Sequence, residues 1–295
     1  MIVQRDLKIP LVLAHVGPLL LTLLAYDVGV TLLYMVGGLQ WLSMPNLPLP
    51  LLGSAIALVV SLRNNLAYAR WWEARTLWGA VVNDSRSFVR GLLMMVDDPQ
   101  ARLEIAQLQM VYGQALRCHL LRLPPWDGLA AHLPEATVNR LRTATNVPLA
   151  LQVVMAERLA AAHKAGSLDS IKLAALHVTL SQLANAQGGL ERIKNTPLPR
   201  QYNQFPQVFT GVFCVLLPLG IVHDLGYFTP FGSALLGFMF LALDRIGRDL
   251  EDPFEGTVHD VPMQAIARTI EIDLRQMVGA SPTEGAIPIE DGVLR

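Results

Sequence analysis

Residues 47–82 read LPLPLLGSAIALVVSLRNNLAYARWWEARTLWGAVV. The first 16 positions are mostly apolar, and charge then arrives at Arg63 without a breaker. A membrane-crossing helix needs about 20 predominantly apolar residues, so 47–62 alone is short. With no turn cluster after Leu62, the stretch from Arg63 onward can continue as helix. A helix that crosses a bilayer and runs on into a water-soluble bundle accounts for both facts. Gly53, Ser54, Ala55 and Ala57 let neighbouring helices approach closely. Ser54, Leu58 and Leu62 recur at i, i+4 and i+8, about 6 Å apart along the axis. On spacing alone, that stripe is packing against other spans.

Three further apolar stretches accompany this one, at 11–39, 205–222 and 228–247. They pair into two hairpins. The connector QWLSMPN carries no charge, and HDLGY carries one acid and no Lys or Arg. The outer flanks are basic: Arg5 and Lys8, then Arg63, Arg70 and Arg75, then Arg192, Lys194 and Arg200, then Arg245 and Arg248. Lys and Arg in short flanks mark the cytoplasmic side, which puts both termini and the middle of the chain in the cytoplasm. The expected organisation is a first transmembrane hairpin at 9–62, a cytoplasmic helical region at 63–204 and a second hairpin at 205–247. A cytoplasmic C-terminal segment at 248–278 and a flexible tail at 279–295 follow. The fold class is all-α: four transmembrane helices and a large cytoplasmic helical bundle, a multi-pass protein of the cell membrane with the lipid bilayer as its surroundings.

Composition agrees. Hydrophobic residues make up 52%, charged residues 16%, and mean hydropathy is +0.39; a soluble domain averages roughly 25% charged. A net charge of −1 gives no reason to expect a nucleic-acid partner. Cys118 and Cys214 have no paired spacing, so neither a disulfide framework nor a zinc site is expected. The N-terminal apolar stretch is too long for a cleaved signal and lacks a small-residue cleavage site, so it is expected to stay as an anchor. No nucleophile motif, Gly-rich phosphate loop or His/Cys cluster points to catalysis or to a cofactor.

Between the hairpins, apolar residues recur at helical spacing. Leu103, Ile105, Leu108, Val111, Tyr112, Leu116 and Leu120 fall largely on one face. Breakers at Pro99, Pro124-Pro125, Pro134, Pro148 and Gly166 divide the region into several helices with short loops. Downstream, Asp260 is positioned to cap a helix with Pro262 in its first turn.

Four motifs, RNNLAYARWWEARTLWG at 63–79, ERIKNTPLP at 191–199, DLEDPFEGTVHDVP at 249–262 and IEIDL at 270–274, resemble the bestrophin family, in particular its prokaryotic branch. Their order relative to the four spans fits as well. The resemblance implies a homopentameric channel for monovalent ions in the bacterial inner membrane, with one axial pore lined at its neck by the second span. In the family the last of three neck rings lies eight residues before the RWW motif, which implies rings at Ser54, Leu58 and Leu62. The upper ring is then Ser rather than a bulky apolar residue. LDSIK at 168–172 resembles the segment carrying the family's cytoplasmic aperture, implying Ile171 there, with Asp169 beside it. Asp169 has an alternative role as a helix cap. Animal members carry a calcium site after a Pro-Phe-Gly motif; here only Glu255 and Asp260 remain, short of the six to eight oxygens calcium takes, so no metal is expected. The prokaryotic branch implies cation permeation, with an anion channel of the same architecture or a non-conducting membrane scaffold as alternatives. A secondary transporter would show repeats and broken helices, which this chain lacks.

Asp27 and Asp244 lie in or near apolar spans, where an ionisable residue is a functional candidate or a paired acid. Trp71, Trp72 and Trp78 are expected to pack the cytoplasmic bundle. His15, His177 and His223 lack ligand spacing and are read as structural.

Overall fold

The computed structural model describes residues 1, 9–281, 285–290 and 292–294, with side chains of the first helix from residue 17. Arg5, Lys8 and the side chain of His15 lie outside the described residues, as do parts of the tail. Among the described residues there are ten α-helices and no strand beyond an isolated bridge between Glu290 and Val293. In chain order the helices are α1 (Ile9–Met35), α2 (Leu49–Met95), α3 (Pro99–Leu120), α4 (Trp126–Ala130), α5 (Glu135–Leu141), α6 (Val147–Lys164), α7 (Ser170–Asn195), α8 (Arg200–Leu225), α9 (Thr229–Glu251) and α10 (Met263–Met277). As the unbroken sequence suggests, α2 is a single helix of 47 residues.

The helices fall into two compact units. One holds Gln4–Arg70 and Pro197–Asp252, the other Met1–Val3, Trp71–Thr196 and Pro253–Arg295. In the first, α1, α8 and α9 pack together and the first half of α2 joins them. The α8–α9 turn uses Gly226 at φ +52°, a conformation that favours glycine. Leu225 then lies against Gly232 and Phe213 against Phe240, so the two helices run antiparallel. Among the described residues three runs are long and apolar enough to cross a membrane: Gly17–Met35, a window of Leu49–Met95, and Arg200–Glu251, which comprises both arms of the α8–α9 hairpin. Helix α8 starts at Arg200 and α9 reaches Glu251, each extending the apolar stretch read from sequence into charged residues.

The second unit has a continuous apolar core from α2, α3, α5, α6, α7 and α10, including Trp78, Phe88, Leu116, Leu151, Leu183 and Ile270. The stripe on α3 is buried as expected except for Leu103, which is exposed. Pro99 and Pro148 begin helices rather than end them, where the missing N–H has no intrahelical partner to lose. A buried polar chain crosses this core. Tyr112 Oη donates to Gln187 Oε1 (3.0 Å), and Gln152 Nε2 donates to both Tyr112 Oη (3.1 Å) and Gln187 Oε1 (2.9 Å). Gln187 Nε2 in turn donates to Glu191 Oε1 (2.7 Å), which also accepts from Asn146 (2.9 Å). Burial raises the Tyr112 phenol well above its ordinary range, so it stays a neutral donor.

Asp260 does not cap α10. The N-cap position is Pro262, and Asp260 turns inward to accept from Gly256 N (2.6 Å) and the Thr257 hydroxyl. The loop needs an acceptor for its own donors more than the helix needs a cap.

Candidate pore neck and aperture

The first half of α2 has two faces. Ile56, Val60, Arg63 and Ala67 are buried, and Ile56 and Val60 pack on Phe213 and Leu217 of α8. On the opposite side Ser54 is exposed, Leu58 is 62% exposed and Leu62 is 55% exposed. At about 100° per residue the stripe and the buried face point nearly opposite ways. The Ser54 hydroxyl donates to Leu51 O (2.9 Å), so it makes no demand on a neighbour. The three residues form one outward-facing line, two leucines and a serine whose hydroxyl is satisfied within its own helix.

The buried face ends in charge. Arg63 Nη1 donates to Asp244 Oδ1 of α9 (2.8 Å), and both side chains are nearly inaccessible. Arg63 Nη2 donates to the Asp244 carbonyl and to Asn64 Oδ1 (3.2 Å). Asn64 Nδ2 donates to Leu243 O (2.8 Å), and Arg248 closes the second carboxylate oxygen at 2.9 Å. Asp244 is therefore a paired acid. In the sequence Arg63 is legible only as a flanking charge. The signal for its partner was an acid inside an apolar span, which must find a counter-charge.

Asp27 is also buried, and the Thr31 hydroxyl donates to its carbonyl oxygen (2.7 Å). His223 Nδ1 meets Tyr34 Oη at 3.1 Å.

In the other unit, Asp169 is the N-cap of α7, accepting from Ile171 N and Lys172 N at 2.9 Å each. The Lys172 N–H, with help from that of Ile171, holds the carboxyl below its ordinary range. Lys172 Nζ lies 3.6 Å from Asp169 Oδ2 and offsets its charge. Ile171 is 85% exposed. Its base is fixed: Leu168 is buried, Leu168 O meets His163 Nδ1 at 2.6 Å, and Ser167 O accepts from Asp97 N at 2.9 Å. Capping at Asp169 is thus present, and Ile171 projects outward from a rigid helix start.

The remaining acids of the 249–262 motif do not fit a calcium site. Glu255 is exposed, whereas Asp260 is buried and engaged within its loop. Lys194 Nζ donates to Phe254 O (3.1 Å) and Trp71 Nε1 to His259 O (3.0 Å), which tie the same loop to α7 and α2. Among the described residues no cluster of three His, Cys, Asp or Glu could hold a metal. Trp71 and Trp78 pack into this unit as expected, but Trp72 is 56% exposed.

The family model for the bacterial/fungal bestrophin protein matches residues 10–276. The chain is 36% identical over 230 residues to the voltage-dependent anion channel-forming protein YneE of Salmonella typhi, covering 78% of this chain and 76% of the relative. It is 34% identical over 257 residues to a voltage-dependent anion channel-forming protein of Ralstonia nicotianae, covering 85% and 84%. The crystal structure of a bacterial bestrophin homolog from Klebsiella pneumoniae superposes with a TM-score of 0.85 at 31% identity, covering 89% of this chain and 98% of that one. With that match across nearly its whole length, the chain belongs to the bacterial/fungal bestrophin family, a family of membrane ion channels.

Proposed function

We propose that five copies of this chain assemble around one pore and that Leu58 and Leu62 form its neck, with Ser54 as the upper ring. The observation that carries this reading is the outward line of apolar side chains on α2, opposite its buried face, in a chain of this family. One chain does not surround a pore with a single such helix, whereas a closed ring of identical α2 helices does. In such a ring an ion must shed water without gaining replacement ligands, so the leucines act as an apolar barrier. Ile171 forms a second ring at the cytoplasmic aperture, with Asp169 beside it. Mass measurement in detergent should give a pentamer; a stable monomer or dimer contradicts the assembly.

Two lines of support pull apart on the permeating ion. The relatives' names support an anion channel. Resemblance to the prokaryotic branch favours cations, and a ring of Asp169 carboxylates would add to that, but Lys172 offsets each carboxylate at 3.6 Å. The anion reading is therefore the better supported. Reversal potentials across asymmetric KCl decide it: a value near the chloride potential supports the anion channel, and one near the potassium potential restores the cation reading. Absence of current from a verified pentamer overturns both.

The basic flanks place residues 40–46 and 223–227 outside a bacterial inner membrane, with both termini and the α3–α7 region in the cytoplasm. Cysteines introduced at Asn46 and Asp224 should react with an impermeant thiol reagent on intact cells, and one at Asn83 should not.

A further inference from the structure

We infer that Arg63, Asp244 and Gly247 position the neck helix: the ion pair seated in the Gly247 notch fixes the rotation of α2 about its own axis and so aims Leu58 and Leu62. This rests on the reading that the exposed stripe lines a pore.

At about 100° per residue, Arg63 lies about 180° round the helix from Ser54, about 140° from Leu58 and about 100° from Leu62. It anchors the back of the helix whose front carries the stripe. Apolar packing of Ile56 and Val60 on α8 is non-directional and tolerates a small roll. The guanidinium does not. It is planar, and it engages Asp244 through Nη1 at Oδ1 (2.8 Å) and Nη2 at the main-chain carbonyl, which fixes orientation as well as distance. Asn64 on the adjacent residue adds a second main-chain anchor at Leu243 O (2.8 Å). The notch is specific as well. A Cβ at Gly247 would lie 2.0 Å from Asn64 Oδ1 and 2.7 Å from Arg63 Nη2, so any side chain there displaces the anchor. Arg248 occupies the remaining Asp244 oxygen, which leaves the carboxylate no freedom to follow a rolled α2.

Substituted-cysteine accessibility reads rotation directly. In a Cys118→Ala/Cys214→Ala background, Leu58→Cys and Leu62→Cys should be modified rapidly by a charged thiol reagent, with block of the current, and Ala57→Cys and Ser61→Cys slowly. Adding Arg63→Met with Asp244→Leu removes both charges at similar volume, a change that commonly leaves a fold intact. Modification should then slow several-fold at Leu58→Cys and rise several-fold at Ala57→Cys or Ser61→Cys. Gly247→Ala should produce the same shift from the α9 side, and Arg63→Lys should keep part of the parent pattern. An unchanged pattern in both the double variant and Gly247→Ala overturns the inference while leaving the neck reading standing. Failure to block at Leu58→Cys and Leu62→Cys in the parent background overturns the neck reading, and the inference with it.

Discussion

The two units of this chain differ in the balance of what they bury. The unit built from Trp71–Thr196 and Pro253–Arg295 has a large apolar interior, with Trp78, Phe88, Leu116 and Leu183 fully enclosed. The unit built from Gln4–Arg70 and Pro197–Asp252 has a small apolar cluster of Ile56, Val60, Phe213 and Leu217. Its larger apolar side chains point outward, among them Phe209, Phe231, Leu235 and Met239. Beside its apolar contacts it encloses charged and polar side chains: Asp27, Thr31, Arg63, Thr210 and Asp244. Water drives the first arrangement, because enclosing apolar area is favourable there. In lipid that gain is absent, and the expensive groups are charges, which must find partners inside. The contrast is the one expected of a lipid-facing unit joined to a water-facing one.

That comparison breaks most visibly at Trp78. Truncating it to Ala should destabilise its unit by roughly 3–5 kcal/mol, whereas Phe231→Ala, at a side chain 74% exposed, should stay within about 0.5 kcal/mol in detergent. Thermal melts of the two variants test it, and equal losses would erase the distinction. Arg63→Met comes next. Arg248 still faces Asp244 at 2.9 Å, so losing this partner should cost less than the roughly 3–5 kcal/mol of a wholly unpaired buried charge, and adding Asp244→Leu should recover part of it. A double variant as unstable as the single would show that the pair itself, and not a weakened pairing of Asp244, holds the unit together. Tyr112→Phe sharpens the picture of the apolar-core unit. Loss of the hydroxyl leaves Gln152 and Gln187 each short of a partner and should cost about 1–3 kcal/mol in a denaturant melt.

The smallest effect is at Asp169. Asn caps helices as well as Asp, so Asp169→Asn should change stability little, and any shift in reversal potential reports its charge alone. Because the native carboxyl is held below its ordinary range, its contribution is present above the unfolded value of about 3.9 and is lost as pH falls through the lower native value. Melts of the parent chain and Asp169→Ala should therefore differ by a constant amount between pH 5 and 8 and converge only in strong acid.

Much of this was legible in the sequence because local signals sufficed. The continuity of α2 follows from the absence of any breaker after Leu62, and Pro99 marks a boundary, although it opens α3 behind the cap Asp98 rather than breaking a helix. The Ser54, Leu58, Leu62 line was legible as a stripe, but spacing cannot distinguish a face that packs from one that waits for another copy. The Arg63–Asp244 pair joins residues 181 apart, so no local pattern reveals it. Asp260 was misjudged for a related reason: the donors it serves, Gly256 N and the Thr257 hydroxyl, are presented only once the loop has folded.

Whether the exposed leucines of α2 line a pore is decided by planar-bilayer recording of Leu62→Ala beside a thermal melt of the same preparation. Truncation removes three heavy atoms per chain, widening and wetting the neck without moving a charge. A pore-lining Leu62 gives a larger unit current, an unchanged reversal potential and an unchanged melting temperature. An unchanged current with a lowered melting temperature would contradict it, and would return Leu62 to ordinary packing between helices.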